Sequence, residues 1–147
     1  MSDVNAQRRA ERAAEAMRRG DVATQALGVD LEEVGPGYAR ASMRVREEML
    51  NGHRTCHGGY VFTLADSAFA YACNSYDRVT VASGASIEFL APGHLGDRLT
   101  AVAEERYVGG RTGVYDVEVH NQKGVCIALF RGRSHRLQGS VTGDFVD

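Results

Sequence analysis

The sequence predicts an α+β fold in which an antiparallel sheet wraps around one long buried helix. Residues 60–77 contain neither proline nor glycine and are apolar on most sides, which is typical of a helix inside a protein. Four strand-like segments follow this helix along the chain. The length of 147 residues suits one compact domain.

Before the buried helix, the sequence predicts one helix and two strands. Residues 4–19 are rich in Ala, Arg and Glu, which favour helix, and Gly20 marks its end. In residues 38–46, apolar side chains alternate with polar ones, as in a half-buried strand. Residues 28–33 are expected to pair with that strand across a turn at residues 35–37.

After the buried helix, strands are predicted over residues 79–90, 98–108, 114–120 and 125–133, as a meander joined by turns that contain glycine. The last strand begins with an unbroken apolar run, which suits a central position in the sheet. We expect three parts in the chain: a helical segment at residues 1–20, a main domain at 21–137 and a flexible tail at 138–147.

The composition excludes several classes of function. A net charge of −2 provides no overall attraction to nucleic acid or to an anionic membrane. No segment approaches the roughly 20 apolar residues that cross a bilayer, and the N-terminus lacks the apolar core of a signal peptide. The three cysteines are widely spaced and imply no disulfide framework. We therefore expect a cytoplasmic protein that binds neither nucleic acid nor membrane.

The start of the buried helix is the first candidate for chemistry. His57, Gly58 and Gly59 lie there, and helix N-termini present unpaired amides with a partial positive charge. Amides directed at a carbonyl group form an oxyanion hole, which is worth roughly 3 kcal/mol per donor. The alternative is that these residues form only a tight turn into the helix.

A carboxylate interrupts the apolar face of the buried helix. Asp66 shares one helical stripe with Phe62, Phe69 and Cys73. Burial of a carboxylate is unfavourable unless it has a partner or a function, and desolvation would raise its pKa toward the range of a general base. We predict that Asp66 is the catalytic carboxylate, with a purely structural hydrogen-bonded role as the alternative.

The spacing of Gly58 and Asp66 predicts a dimer. The two residues are eight positions apart, or roughly 12 Å along a helix. A reacting carbon needs its oxyanion donor and its base within about 3 Å each, or one water further for the base. Two antiparallel copies can satisfy this requirement if each supplies the amide to one site and the carboxylate to the other. We therefore predict a two-fold homodimer with shared active sites.

Residues 49–75 closely resemble the phenylacetic-acid-degradation (PaaI) thioesterases, in the His-Gly-Gly branch of the hotdog superfamily. The resemblance continues through residues 87–93 and 110–112 and covers about 28–135. It implies a hotdog fold, with five or six antiparallel strands around the central helix. It also implies hydrolysis of phenylacetyl-CoA, or of ring-hydroxylated derivatives, to the free acid and coenzyme A. No cofactor is implied beyond the substrate's coenzyme A, and dimers often pair into tetramers.

The resemblance also implies roles for individual residues. Asp66 would act as general base or as nucleophile toward the thioester. The Gly58 amide would polarise the thioester carbonyl, and Asn51 and His57 would orient the thioester or the attacking water. The coenzyme A groove would comprise Phe89, Leu90, Ala91, Pro92 and Gly93 together with Gly110, Arg111 and Thr112. A third catalytic hydroxyl, present in some relatives, has no certain match, because Ala82 falls near that position with Ser83 beside it.

Other interpretations of single residues carry less weight. His53, Cys56 and His57 resemble part of a metal site, but no second ligand cluster follows, so no metal is predicted. Cys56 beside His57 lacks the third, orienting group that a thiol nucleophile needs. The arginines at 131, 133 and 136 form a basic end to the last strand, which is either a solvated edge or a contact for coenzyme A phosphates.

Two rival functions stay open at this point. A hotdog acyl-thioester dehydratase or hydratase would use a histidine and an acid, and no signature of that chemistry accompanies Asp66. A non-catalytic acyl-CoA-binding module would have no use for a carboxylate on an apolar stripe. Release of free thiol, compared with hydration of an enoyl thioester, separates the three functions.

Overall fold

The computed structural model of the chain describes residues 2–143, which form three α-helices and six β-strands. The helices are α1 (Ser2–Gly20), α2 (Val22–Leu27) and α3 (Gly58–Cys73), and a short 3-10 helix spans Glu47–Met49. The strands are β1 (Asp30–Gly35), β2 (Tyr38–Arg44), β3 (Thr80–Phe89), β4 (Arg98–Gly109), β5 (Thr112–His120) and β6 (Cys126–Arg136). No helix among these residues is long and apolar enough to cross a membrane.

All six strands belong to one antiparallel sheet in the order β1-β2-β4-β5-β6-β3, and α3 packs across its inner face. Under the helix, β2 and β4 present four fully buried alanines, whose small side chains let the helix lie close to the sheet: Ala39, Ala41, Ala101 and Ala103. The α+β prediction and the hotdog arrangement are confirmed, and β6 is an interior strand as predicted.

The boundaries of α3 differ from the predicted residues 60–77 because side chains cap both ends. The helix begins at Gly58, since the His57 side chain accepts a hydrogen bond from the Gly59 amide at 3.0 Å. It ends at Cys73, where Asn74 donates to the Ala70 carbonyl at 2.9 Å. Each of these two side chains bonds to a backbone group at one end of the helix, and the helix begins and ends at these bonds.

The N-terminal helix is packed into the protein. Ala10 and Ala14 lie in the same apolar core as the sheet, and the Gln7 amide donates to the Val34 carbonyl of β1 at 2.7 Å. Helix α2 was not predicted from the sequence. It begins after Asp21, whose carboxylate accepts from a backbone amide, and ends at a left-handed glycine.

Residues 137–143, the C-terminal strap, run beside the connection between α3 and β3. The Leu137 amide donates to the Val79 carbonyl at 2.7 Å, and the Val79 amide donates to the Gly139 carbonyl at 3.1 Å. The Thr142 amide and hydroxyl donate to the buried Asp77 carboxylate at 2.9 and 2.6 Å. Residues 144–147 of the predicted tail lie outside the described residues, and the domain boundaries at 20 and 137 stay predictions.

Candidate active site

Asp66 lies half-buried on the third turn of α3. Its carboxylate accepts no hydrogen bond and forms no ion pair with any residue in the range 2–143, and burial raises its pKa above the ordinary value. The rings of Phe62 and Phe69, on the same side of the helix, pack against Phe130 with centroid distances of 5.3 and 5.8 Å. A carboxylate whose pKa is raised accepts a proton more readily than an ordinary one, as a general base requires.

The Gly58 amide is the available donor at the helix start. The neighbouring Gly59 amide is already bonded to Nδ1 of His57, and the Tyr60 amide donates to the His57 carbonyl at 3.0 Å. No described residue accepts from the Gly58 amide. Because Nδ1 of His57 is an acceptor, the neutral ring carries its proton on Nε2, which is free to contact a ligand.

An aromatic ring covers Gly58. A Cβ atom at this position would lie 2.9 Å from Cζ of Phe89, which is closer than real Cβ contacts. The glycine therefore permits the ring of β3 and the first turn of α3 to meet. This contact brings the predicted oxyanion donor and the first residue of the predicted coenzyme A groove together.

Asn51 organises the loop that precedes α3. Its side-chain oxygen accepts from the His53 amide at 3.0 Å, from the Thr55 amide at 3.1 Å and from the Thr55 hydroxyl at 3.2 Å. The Cys56 amide then joins this loop to the Gly93 carbonyl at 2.8 Å. The side-chain nitrogen of Asn51 has no partner among the described residues, so it is free to donate to a ligand.

Within one chain, the predicted coenzyme A residues fall into two separate places. Residues 89–93 share an open groove with Asn51 and Gly58, at the N-terminal end of α3. Residues 110–112 line a different pocket at the C-terminal end of α3, together with Cys73. Asp66 lies between the two and lines neither. A single chain therefore does not bring Gly58, Asp66 and both halves of the coenzyme A groove to one point.

The pocket at residues 110–112 contains residues that the sequence did not indicate. Oε1 of Glu105 accepts hydrogen bonds from the hydroxyls of Tyr76 at 2.7 Å and Tyr115 at 3.3 Å. Burial, and then the charge and hydrogen bond of Glu105, raise the pKa of both phenols, so the two hydroxyls stay protonated donors. Only the folded topology joins these residues, because Tyr76 follows α3 whereas the other two lie on β4 and β5.

Of the remaining candidates, Ala82 and Ser83 line neither place, whereas Cys56 lines the open groove. Ala82 and Ser83 are exposed on β3, and the Ser83 hydroxyl donates to the Arg133 carbonyl at 3.2 Å, so the third catalytic hydroxyl is still unassigned. Burial raises the pKa of Cys56 to about 11, which opposes its use as a thiolate. Among residues 2–143, no three His, Cys, Asp or Glu side chains are grouped so as to hold a metal ion.

Comparison with known proteins gives consistent results. The model of the thioesterase superfamily matches residues 53–128. The acyl-coenzyme A thioesterase PaaI of Escherichia coli (strain K12) is 52% identical over 131 residues, which are 89% of this chain and 94% of that protein.

Solved structures agree with the sequence comparison. The structure of the E. coli PaaI protein from the phenylacetic acid degradation operon matches with a TM-score of 0.90 at 50% identity, over 91% of this chain and 97% of that chain. A hypothetical thioesterase from Streptococcus pneumoniae TIGR4, solved with coenzyme A, matches with a TM-score of 0.72 at 29% identity, over 74% of this chain and 85% of that chain. The chain belongs to the thioesterase superfamily.

Proposed function

We propose that this chain hydrolyses phenylacetyl-CoA, or ring-hydroxylated phenylacetyl-CoA, to the free acid and coenzyme A. Thioester hydrolysis follows from the family. The Asp66 carboxylate, half-buried on α3 without a hydrogen-bonding or ionic partner in the described residues, is the observation that carries the assignment. The acyl group is inferred from the E. coli relative, which comes from a phenylacetic acid degradation operon, and coenzyme A from the relative solved with it.

The chemistry assigned to Asp66 has two routes. As a general base, the carboxylate takes a proton from water while the water oxygen attacks the thioester carbon. As a nucleophile, the carboxylate attacks that carbon itself, and water then cleaves the resulting anhydride. In both routes the Gly58 amide stabilises the oxyanion, the carbon–sulfur bond breaks, and coenzyme A leaves as a thiolate that takes up a proton. No cofactor takes part in either route.

An active site shared between two chains requires a dimer. The two edge strands of the sheet differ, and the difference favours pairing with a second copy at one of them. Edge strand β1 has six residues and carries Asp30, Glu32 and Glu33, which oppose pairing with another strand. Edge strand β3 has ten residues, and Glu88 is its one charged residue. Most of its side chains are exposed, and the exposed ones lie on both faces of the strand. We assign β3 as the edge that meets a second copy, with two dimers forming a tetramer.

Replacement of Asp66 by asparagine tests the assignment. Asp66→Asn keeps the shape of the side chain but cannot take a proton, so kcat toward phenylacetyl-CoA is expected to fall at least about 100-fold. Asp3→Asn, a change of the same kind at an exposed position on α1, is the control and is expected to keep full activity. An Asp66→Asn enzyme that is folded and close to normal in rate contradicts the role of Asp66.

The acyl group needs a separate measurement. Steady-state hydrolysis of phenylacetyl-CoA, its ring-hydroxylated derivatives, and acetyl-, hexanoyl- and benzoyl-CoA is compared through kcat/KM. Arylacetyl thioesters are expected to rank first, and a straight-chain thioester in that place would overturn the proposed substrate. An enoyl-CoA included in the same panel reports any hydratase activity.

A further inference from the structure

A row of four aromatic rings begins on α3 beside Asp66, and we call it the aromatic row. Phe62 and Phe69 both pack against Phe130, with centroid distances of 5.3 and 5.8 Å. Phe69 also packs against Tyr115 at 5.6 Å. The planes of neighbouring rings are inclined by 51 to 69°, close to the edge-to-face arrangement that aromatic rings prefer. The aromatic row therefore runs from Phe62 at one end to Tyr115 at the other.

One end of the aromatic row is open to a ligand. Tyr115, Phe69 and Phe130 are 2%, 1% and 3% exposed, so these three rings belong to the core. Phe62 is only partly buried, and it is the one ring of the four with accessible surface. A further aromatic ring can therefore join the row at Phe62 and at none of its other members.

The edge strand beside this open end is apolar on its inner face. Ile87 of β3 pairs with Phe130 of β6, and directly opposed residues of an antiparallel pair lie on the same face of a sheet. Because side chains alternate along a strand, Ala85 and Phe89 lie on this face as well. The small Ala85 side chain is exposed. A ligand that approaches Phe62 from the β3 side therefore meets apolar surface.

Phe62 lies within reach of the acyl group of a thioester held at Asp66. The two residues are four positions apart on α3, and such side chains are neighbours with Cβ atoms about 5–6 Å apart. The centre of a phenylacetyl ring lies about 4 Å from its carbonyl carbon. Since aromatic rings pack with centroids about 4.5–7 Å apart, a thioester carbon at Asp66 allows the substrate ring to contact Phe62.

The proposed sharing of active sites leads to the same place. Phe62 is four residues from Gly58 and four residues from Asp66. Two antiparallel helices that align Gly58 of one chain with Asp66 of the other also align the two copies of position 62 between the two thioester carbons. An acyl group that extends from either carbon toward the middle of the helix pair therefore meets a Phe62 ring.

We infer that Phe62 selects the acyl group by packing against the aromatic ring of an arylacetyl thioester, which adds a fifth ring to the aromatic row. The inference rests on the proposed function and names the residue that gives the enzyme its preference for aryl groups. A straight-chain acyl group gains apolar contact at this position but no edge-to-face contact, so leucine would serve it as well as phenylalanine does. Phe62 determines specificity and takes no part in breaking the carbon–sulfur bond.

Binding of two thioethers tests the inference without using catalysis. S-(2-phenylethyl)-coenzyme A and S-hexyl-coenzyme A carry an aryl and a straight-chain group through a bond that cannot be hydrolysed. Their Kd values for the full-length chain and for Phe62→Leu are measured by calorimetry. Phe62→Leu is expected to weaken the phenylethyl ligand about three- to tenfold, as for loss of one aromatic pair, and to change the hexyl ligand less than about twofold.

Two further variants are the controls. Phe62→Tyr keeps the ring and is expected to keep the preference for the phenylethyl ligand. Phe69→Leu removes a buried ring of the same row, so it is expected to lower the thermal stability of the chain without changing the ratio of the two Kd values.

Several outcomes would overturn the inference. Phe62→Leu could change both Kd values by the same factor or change neither, or the unaltered chain could bind the two ligands equally. If Phe62 packs only against a second copy, Phe62→Leu lowers the stability of the dimer and leaves the ratio of Kd values unchanged. Failure of the proposed function is a separate result, namely an absence of thioester hydrolysis in a chain that still prefers the phenylethyl ligand.

Discussion

Asp66 occupies a position that destabilises the folded chain whenever the carboxylate is charged. Burial is the cause of its raised pKa, and no described residue offers a compensating hydrogen bond or opposite charge. A residue with a structural role would have such partners, as the buried Asp77 has in Thr142. The comparison of the two aspartates favours a chemical role for Asp66 and a structural one for Asp77.

The raised pKa of Asp66 predicts how stability depends on pH. Between the ordinary carboxyl pKa and the raised one, the folded state binds more protons than the unfolded state, so stability falls as pH rises through that interval. Above it, Asp66→Asn is expected to be more stable than the unaltered chain while being inactive. Thermal unfolding across pH 3 to 8 measures this, and the difference should shrink toward acid pH. An Asp66→Asn variant less stable at pH 8 would contradict the uncompensated charge.

At the scale of elements, the connection between α3 and β3 depends on the C-terminal strap. Asp77 has a left-handed φ of 62°, which is unusual for a residue other than glycine, and the residue is 3% exposed. Its two bonds to Thr142 satisfy the charge and hold the connection in place. Tyr76 and Arg78 of this connection, and Thr80 at the start of β3, line the pocket at residues 110–112, so the strap supports one wall of that pocket.

Thr142→Val tests the strap. The valine has nearly the same shape but no hydroxyl, so one oxygen of the buried Asp77 loses its donor, and the free energy of unfolding is expected to fall by about 1–3 kcal/mol. Thr142→Ser keeps the hydroxyl and is expected to retain most of the stability. Urea unfolding of the three proteins gives the values, and equal stability of the valine and threonine chains would refute this role.

The sequence predicted elements where pattern and local chemistry agree, and it was less accurate where distant residues decide. The apolar run after Gly59 predicted α3, but its first turn depends on the His57 side chain, and its end depends on Asn74. Helix α2 was missed because six residues show no clear period. The sequence indicated Arg111 and Arg136 separately, one as a groove residue and one as part of a basic strand end, and only the strand order brings the two side by side.

For the whole molecule, the separation of Gly58, Asp66 and residues 110–112 along α3 has one economical explanation. Each active site would use the helix start and the 89–93 segment of one protomer with the carboxylate and the 110–112 pocket of the other. Family membership establishes thioester hydrolysis, whereas the sharing of each active site between two protomers is a proposal.

Mixing two inactive chains provides that proof. Gly58→Pro removes the amide donor at the first helical position, where proline is tolerated, and Gly58→Ala adds the same Cβ but keeps the amide as its control. After co-refolding of Gly58→Pro with Asp66→Asn, mixed dimers contain one intact site each. Activity is then expected to return to about a quarter of normal, since half of the dimers are mixed. Mixtures that stay inactive, although heterodimers form, would argue against shared sites.

The open edge of β3 has a consequence for the life of the chain before assembly. A single folded chain presents at this edge a ten-residue strand with one charge and no proline, in contrast to the acidic edge at β1. Unprotected edges of this kind are templates for uncontrolled strand addition and aggregation. We therefore expect solubility during synthesis to depend on how fast protomers meet, so that slow or dilute expression leaves more unpaired chains exposed to aggregation or proteolysis.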